Sequence, residues 1–330
     1  MQSKINYLSI LLPLIMIFYC HSIDAQVWPG PHPLLSSSYK LSAEGHIASQ
    51  VDTLETKFGY AKIEGRFCFP VYHGKDWLTA TGNTPLIGIT IQGAASLLQP
   101  QGDFLIDDTR LLRARLGGNF IYSKGLRNLY MINGQGILAH ELKTISFSGI
   151  YINGSALWRH RQNDQFAWTL GLTYTSVYER NRLFPLAGIS YHPSKENLIT
   201  ILLPVYIQYK HFFNRSTSLS ATIRPNGGFY NINYKVNDST TIKNLVFRHR
   251  NMTLSATILY KISYQLSIDP EVGIESGTRL FLNEHKYLTT SSLFARITLR
   301  YKFGQRANVA PILDFDPADF TTAEPEIPEN

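Results

Sequence analysis

From Leu293 to Phe303 apolar and polar residues alternate without a break. Leu293, Ala295, Ile297, Leu299, Tyr301 and Phe303 share one face of an extended chain; Phe294, Arg296, Thr298, Arg300 and Lys302 share the other. A helix of period 3.6 cannot place residues this way, so the segment is a strand with an apolar face and a polar face that carries three cations. The pattern recurs along the chain. Tyr39, Leu41, Ala43, Gly45 and Ile47 oppose Lys40, Ser42, Glu44 and His46; Phe166, Trp168, Leu170 and Leu172 oppose Gln165, Thr169 and Thr173; Met252, Leu254, Ala256 and Ile258 oppose Thr253, Ser255 and Thr257.

Twelve strands are predicted, near 38–49, 57–71, 78–92, 110–123, 143–158, 164–179, 183–192, 197–211, 217–234, 244–262, 264–281 and 290–303. The count carries a margin of about two, because Asn128–His140 reads either as a further strand or as a folded loop. Pro204 lacks a ladder donor and predicts a bulge or local unpairing. Arg224-Pro225-Asn226-Gly227-Gly228 breaks the phase and predicts a bulge or an early turn.

A soluble sandwich also alternates, so what the apolar face meets decides the class. The polar face is rich in long cations, each of which would cost about 2–4 kcal/mol if turned to the bilayer midplane. Tyr122, Tyr178, Tyr191, Tyr209, Tyr260 and Tyr301 close apolar stripes where an interfacial girdle would lie. The strands also exceed the roughly 5–6 residues of an average soluble strand. The fold expected is therefore all-β, a transmembrane antiparallel β-barrel of about 12 strands (range about 10–14).

Residues 1–25 read as a signal peptide, with Lys4, an apolar run from Tyr7 to Tyr19, and a small residue at Ala25. A lead follows at 26–37, the barrel at 38–303, and an acidic, Pro-rich tail at 304–330. Removal of the leader leaves Cys68 as the one cysteine, which excludes a disulfide scaffold. Mean hydropathy of −0.10 fits a barrel, in which only alternate residues need be apolar. The whole chain carries +7, but the tail sets Arg306 against six acids, so the barrel region is strongly basic.

The mature region resembles gram-negative outer-membrane β-barrels. Its last strand, ending in Tyr301 and Phe303, looks like the aromatic assembly signal read by the barrel insertion machinery, here internal because the tail follows. Leu183 to Ser194, continuing to Leu203-Pro204-Val205, is similar to a family of outer-membrane barrels of unknown function found mainly in Bacteroidota. The resemblance implies fold and an outer-membrane location; it brings no activity.

If the apolar residues face lipid, the lumen receives Lys40, Lys62, Arg66, Arg113, Arg115, Lys210, Arg224, Lys261, Arg296, Arg300 and Lys302, against Glu44, Glu64, Asp269, Glu271 and Glu275. A water-filled lumen with that surplus favours small anionic solutes. The alternative is a plugged, non-conducting barrel, since Asp269, Glu271 and Glu275 would stand beside Arg296 and Arg300 on the next strand. Arg159-His160-Arg161 and Arg248-His249-Arg250, at predicted strand ends, are candidates for phosphates of lipopolysaccharide or for plain solvation. The tail is expected to be solvated, to enter the lumen as a plug, or to dock on a periplasmic partner. No spacing marks a catalytic triad, a lipid hydrolase, a metal site, a cofactor site or nucleic-acid binding, so an enzyme is not indicated.

Overall fold

The computed structural model describes residues 34–48, 57–73, 86–102, 109–124, 127–142, 150–175, 182–237, 240–282 and 285–303. The leader, most of the lead, the tail, Tyr178 and parts of the strands expected at 78–92, 143–158 and 164–179 lie outside the described residues.

The strands run in chain order as β1 (Leu34–Ala48), β2 (Lys57–His73), β3 (Leu86–Gln101), β4 (Leu111–Lys124), β5 (Asn128–Glu141), β6 (Tyr151–Arg161), β7 (Phe166–Thr175), β8 (Arg182–Ser194), β9 (Asn197–Leu203), β10 (Tyr206–Phe212), β11 (Thr217–Asn237), β12 (Thr240–Lys261), β13 (Leu266–Leu282), β14 (His285–Thr289) and β15 (Ser292–Lys302). Successive strands pair antiparallel, and β15 returns to β1, with Leu34 opposite Lys302 and Ser42 opposite Phe294. Both β14 and β15 lie between β13 and β1, so they are two segments of one wall strand and the closed barrel has 14 strands. Closure pairs every wall strand on both sides, which a strand in lipid requires because no water is present to satisfy a free edge.

Two places account for the increase from the twelve strands expected. Asn128–Glu141 is a full strand, β5. The stretch read as one strand over 197–211 is a tight hairpin of β9 and β10, turned at Pro204 and closed by Val205 N–H donating to Leu202 O at 2.6 Å. In addition β3 is described over Leu86–Gln101, residues 78–85 of the strand expected at 78–92 lying outside the described residues, and β1 includes Leu34, inside the stretch read as a lead.

The outward and inward faces follow the alternation. Tyr39, Leu41, Leu116, Leu170, Leu172, Leu254, Ile258, Leu293, Ile297 and Leu299 are exposed on the outer wall, while Thr169, Thr200, Thr253, Ser255 and Thr298 are buried inside. Tyr191, Tyr209, Tyr260 and Tyr301 stand exposed toward the end where β1 starts and β15 stops, and Tyr122, Tyr130, Trp158 and Trp168 form a run of ring contacts at that same end. Here four connections, β6–β7, β8–β9, β10–β11 and β12–β13, are tight. Asn163 Oδ1 accepts from Gln165 N–H and Phe166 N–H, and Asn214 Oδ1 accepts from Ser216 N–H and Thr217 N–H, side chains mimicking backbone turns.

At the opposite end the barrel is not uniform. β10 accompanies β11 only as far as Ile207 opposite Ile223, whereas β11 and β12 continue together beyond it. No register shift interrupts β11 at Arg224–Gly228, so the bulge or turn expected there is absent. Instead the two glycines sit where a side chain would collide: a Cβ on Gly228 would come within 2.9 Å of the His249 ring and 3.0 Å of the Tyr230 ring. The hairpin thereby reaches across the mouth to β5, pairing Asn231 with His140 in parallel, and Tyr151 Oη–H donates to Asn231 Oδ1 at 3.3 Å. Phe229, Tyr230, Ile232, Leu245 and Phe247 bury themselves against Ile47, Phe58, Leu98, Leu111, Ile137, Ala139 and Leu280 from the facing walls. Ring contacts between Tyr151 and Phe229 at 4.3 Å and between Phe58 and Phe247 at 6.0 Å complete an apolar cap.

Candidate functional site: the capped basic lumen

Beneath the cap lies a cavity of about 830 Å³ that touches nearly every strand of the wall. Among the described residues, its lining contains nine cations, Lys40, Lys62, Arg66, Arg113, Arg115, Arg224, Arg250, Arg279 and Arg296, and one acid, Glu64. Six lining carboxamides, Asn119, Asn133, Gln135, Asn153, Asn226 and Asn251, alternate with the outward apolar residues of their strands. Strand geometry explains most of the assembly: apart from Arg250 and Arg279, which pair with each other across β12–β13 on the parity opposite to buried His249 and Leu280, these groups lie on the inward parity of strands whose outward parity is largely apolar.

Four buried acids organise the cations. Glu64 meets Lys62 Nζ at 2.6 Å, Arg66 Nε at 2.7 Å and Arg115 at 2.9 Å. Glu271 binds Arg296 across the β13–β15 ladder and Arg224 at 2.9 Å. Asp269 holds Arg300 at 2.7 Å. Glu275 pairs with Lys40, and accepts from Tyr60 Oη at 2.6 Å, Ser42 Oγ at 2.8 Å and Asn226 Nδ2 at 3.3 Å. A carboxylate taken out of water needs this many donors, since an unpaired buried charge costs several kcal/mol.

The residues expected in the lumen divide accordingly. Lys40, Lys62, Arg66, Arg113, Arg115, Arg224 and Arg296 line the cavity, and Arg300 lies beside it on Asp269. Glu64, Asp269, Glu271 and Glu275 are buried in the interior. Glu44 is a correction. Pairing of β1 breaks between Ser42/Phe294 and Ile47/Thr289, the alternation slips by one residue, and Glu44 stands exposed while Ile47 takes the inward place under the cap. Lys210, Lys261 and Lys302 keep the inward parity of their strands but sit at strand ends near the tight turns, outside the lining of this cavity; Lys210 Nζ lies 5.0 Å from the Phe212 ring centroid. Cys68 is fully buried beside Leu34 and Phe67. Tyr301 and Phe303 stack edge to face at the turn end, 4.8 Å apart.

The two Arg-His-Arg clusters part company. Arg159-His160-Arg161 does end a strand, with Arg159 turned inward and Arg161 bridging Asp164 in the turn. Arg248-His249-Arg250 lies mid-strand in β12: His249 enters the cap between Tyr60 and Tyr230, and both arginines stack on Phe281. From sequence, the lining positions Arg279 and Asn251 are unassigned, and His249 and Arg250 are placed at a strand end rather than in the lining. The phase of Met252, Leu254 and Ala256 places Asn251 inward, and extending it would have found His249. Among the described residues no group of three or more His, Cys, Asp or Glu side chains is placed to hold a metal ion.

A closed antiparallel barrel with an apolar outer wall, a one-ended aromatic girdle and a charged interior is a transmembrane β-barrel of the gram-negative outer-membrane class, bathed by outer-membrane lipid. The chain belongs to a family described as a domain of unknown function (DUF6268), whose model matches residues 57–309. No curated protein matches the sequence. Among solved structures the chain is similar to the COG4313 outer membrane channel from Pseudomonas putida F1, at 9% identity and a TM-score of 0.48, covering 85% of this chain and 98% of that one. It is also similar to a TodX monoaromatic hydrocarbon channel mutant (9% identity, TM-score 0.41, 84% and 91% covered) and to the KdgM porin (8%, 0.33, 82% and 100%).

Proposed function

We propose that this barrel passes small anionic solutes across the outer membrane and rests closed, the closure being the β11–β12 hairpin. The observation that carries this reading is the cavity lining, whose nine cations outnumber Glu64 together with Glu271 and Glu275, the buried acids paired with them, directly beneath an apolar cap built on a hairpin rather than on the wall. In a confined, partly dehydrated space such a surplus raises the local concentration of anions and repels cations. Bacterial barrels keep their tight turns in the periplasm, so the capped end is assigned to the cell exterior. The Bacteroidota lineage, contact with lipopolysaccharide and delivery by the assembly machinery belong to the same proposal, as does a periplasmic partner for the acidic tail.

A second reading, a non-conducting barrel that supports the envelope, is favoured by the pairing of all four interior acids with cations. Planar-bilayer recording of the refolded mature chain under a salt gradient separates the two. The channel reading expects rare openings in the wild type, frequent openings in F229A/F247A, and a reversal potential on the anion side. Silence in both proteins, with insertion verified, would leave the structural reading standing.

A further inference from the structure

The cations of the lumen account for attraction of an anion, but they do not account for the polar groups that stand unused beside them. Asn251 is 5% exposed and lines the cavity, yet neither its Nδ2 nor its Oδ1 has a hydrogen-bond partner among the described residues. His249, 4% exposed, leaves its Nδ1 without one, and Arg296 leaves its Nε without one. Leaving a buried polar group unmade costs about 1–3 kcal/mol, so three on one cavity wall mark a place where something else supplies the partner. A simple halide or carboxylate could satisfy the arginine; it could not both donate to and accept from a carboxamide. Hydroxyl groups do both.

The flanking surface agrees. The rings of Tyr60, His249 and Tyr230 follow one another at 5.6 and 6.4 Å between centroids and border the same cavity, offering an apolar wall to the carbon skeleton of a solute. At about 830 Å³ the space lies within the roughly 300–1,000 Å³ of small-molecule sites. The geometry points to a binding site for a polyhydroxylated carboxylate of sugar-acid size. Its anionic group turns toward Arg296 and Arg115, and its hydroxyls meet Asn251 and His249. This assignment rests on the anion-passing reading and names its solute class.

The test is equilibrium binding to the refolded full-length barrel in detergent, by calorimetry, with glucuronate, glucose and acetate as probes. Glucuronate is expected to bind at least tenfold tighter than acetate, with glucose weaker than either. N251L, which fills the same volume without polar atoms, is expected to reduce glucuronate affinity about tenfold and to leave acetate unchanged; H249F, which keeps a ring in the cap, is expected to lower glucuronate affinity in the same way. Equal affinities for glucuronate and acetate, unaffected by N251L, would overturn the sugar-acid site while leaving a generic anion lumen. Absence of binding by either anion would overturn both readings.

Discussion

At the scale of the residue, the interior is held by acids rather than by its more numerous cations. Glu64 makes the point: three cations converge on one carboxylate, and removing its charge leaves them repelling one another away from water. Truncating one partner of a buried ion pair costs about 3–5 kcal/mol. E64Q is therefore expected to lower the stability of the refolded barrel by about 3 kcal/mol, read as a shift in its urea unfolding midpoint in micelles. A loss well under 1 kcal/mol would mean that water reaches and screens this cluster. Glu44, which stands exposed, is the internal control, and E44Q is expected to leave the midpoint unchanged.

At the scale of the element, the proposed closure rests on the β11–β12 hairpin, and the lie of the hairpin rests on Gly228. A β-branched side chain there meets two rings at about 3 Å, and overpacking of this kind costs about 1–3 kcal/mol. G228V is expected to loosen the cap, raising amide exchange across Phe229–Phe247 and the open probability in bilayer recordings. Unchanged exchange would show that the hairpin accommodates the side chain without moving. The cap also explains which strands were hard to read from sequence. Where a strand is apolar outside and polar inside along its whole length, as in β15 and the lower part of β12, the period of two is plain. Under the cap the inward residues turn apolar as well: Leu98 in β3, Ile137 and Ala139 in β5, and Ile232 in β11 all erase the contrast. Outward Gly134 in β5 weakens it further, so that strand read as loop-like. Pro204 was legible as an interruption, but neither a bulge nor a turn follows from one proline alone, and the closing hydrogen bond between Val205 and Leu202 is a tertiary outcome.

At the scale of the whole molecule, 14 wall strands close the sheet, and the parallel bridge between β11 and β5 narrows it at one end. The barrel class followed from alternation and charge. The narrowing did not, since it depends on β9 and β10 being short while β11 and β12 are long. The orientation assigned to the tight turns makes a direct prediction: Asp164, whose side chain is 96% exposed in the β6–β7 turn, faces the periplasm. D164C in a C68S background is expected to resist a membrane-impermeant maleimide on intact cells and to label after the outer membrane is permeabilised. Labelling on intact cells would invert the barrel.

The closure proposed for the basic lumen is the hairpin docked on β5. Asn231 and His140 are bridge partners across that dock, close enough for a disulfide when both are replaced by cysteine. Bilayer conductance of N231C/H140C in the C68S background, recorded oxidised and then after reduction on the same membrane, tests it. Openings that cease on oxidation and return with anion selectivity on reduction are the expected result. The same conductance in both redox states, with the crosslink verified by mass, would contradict the account.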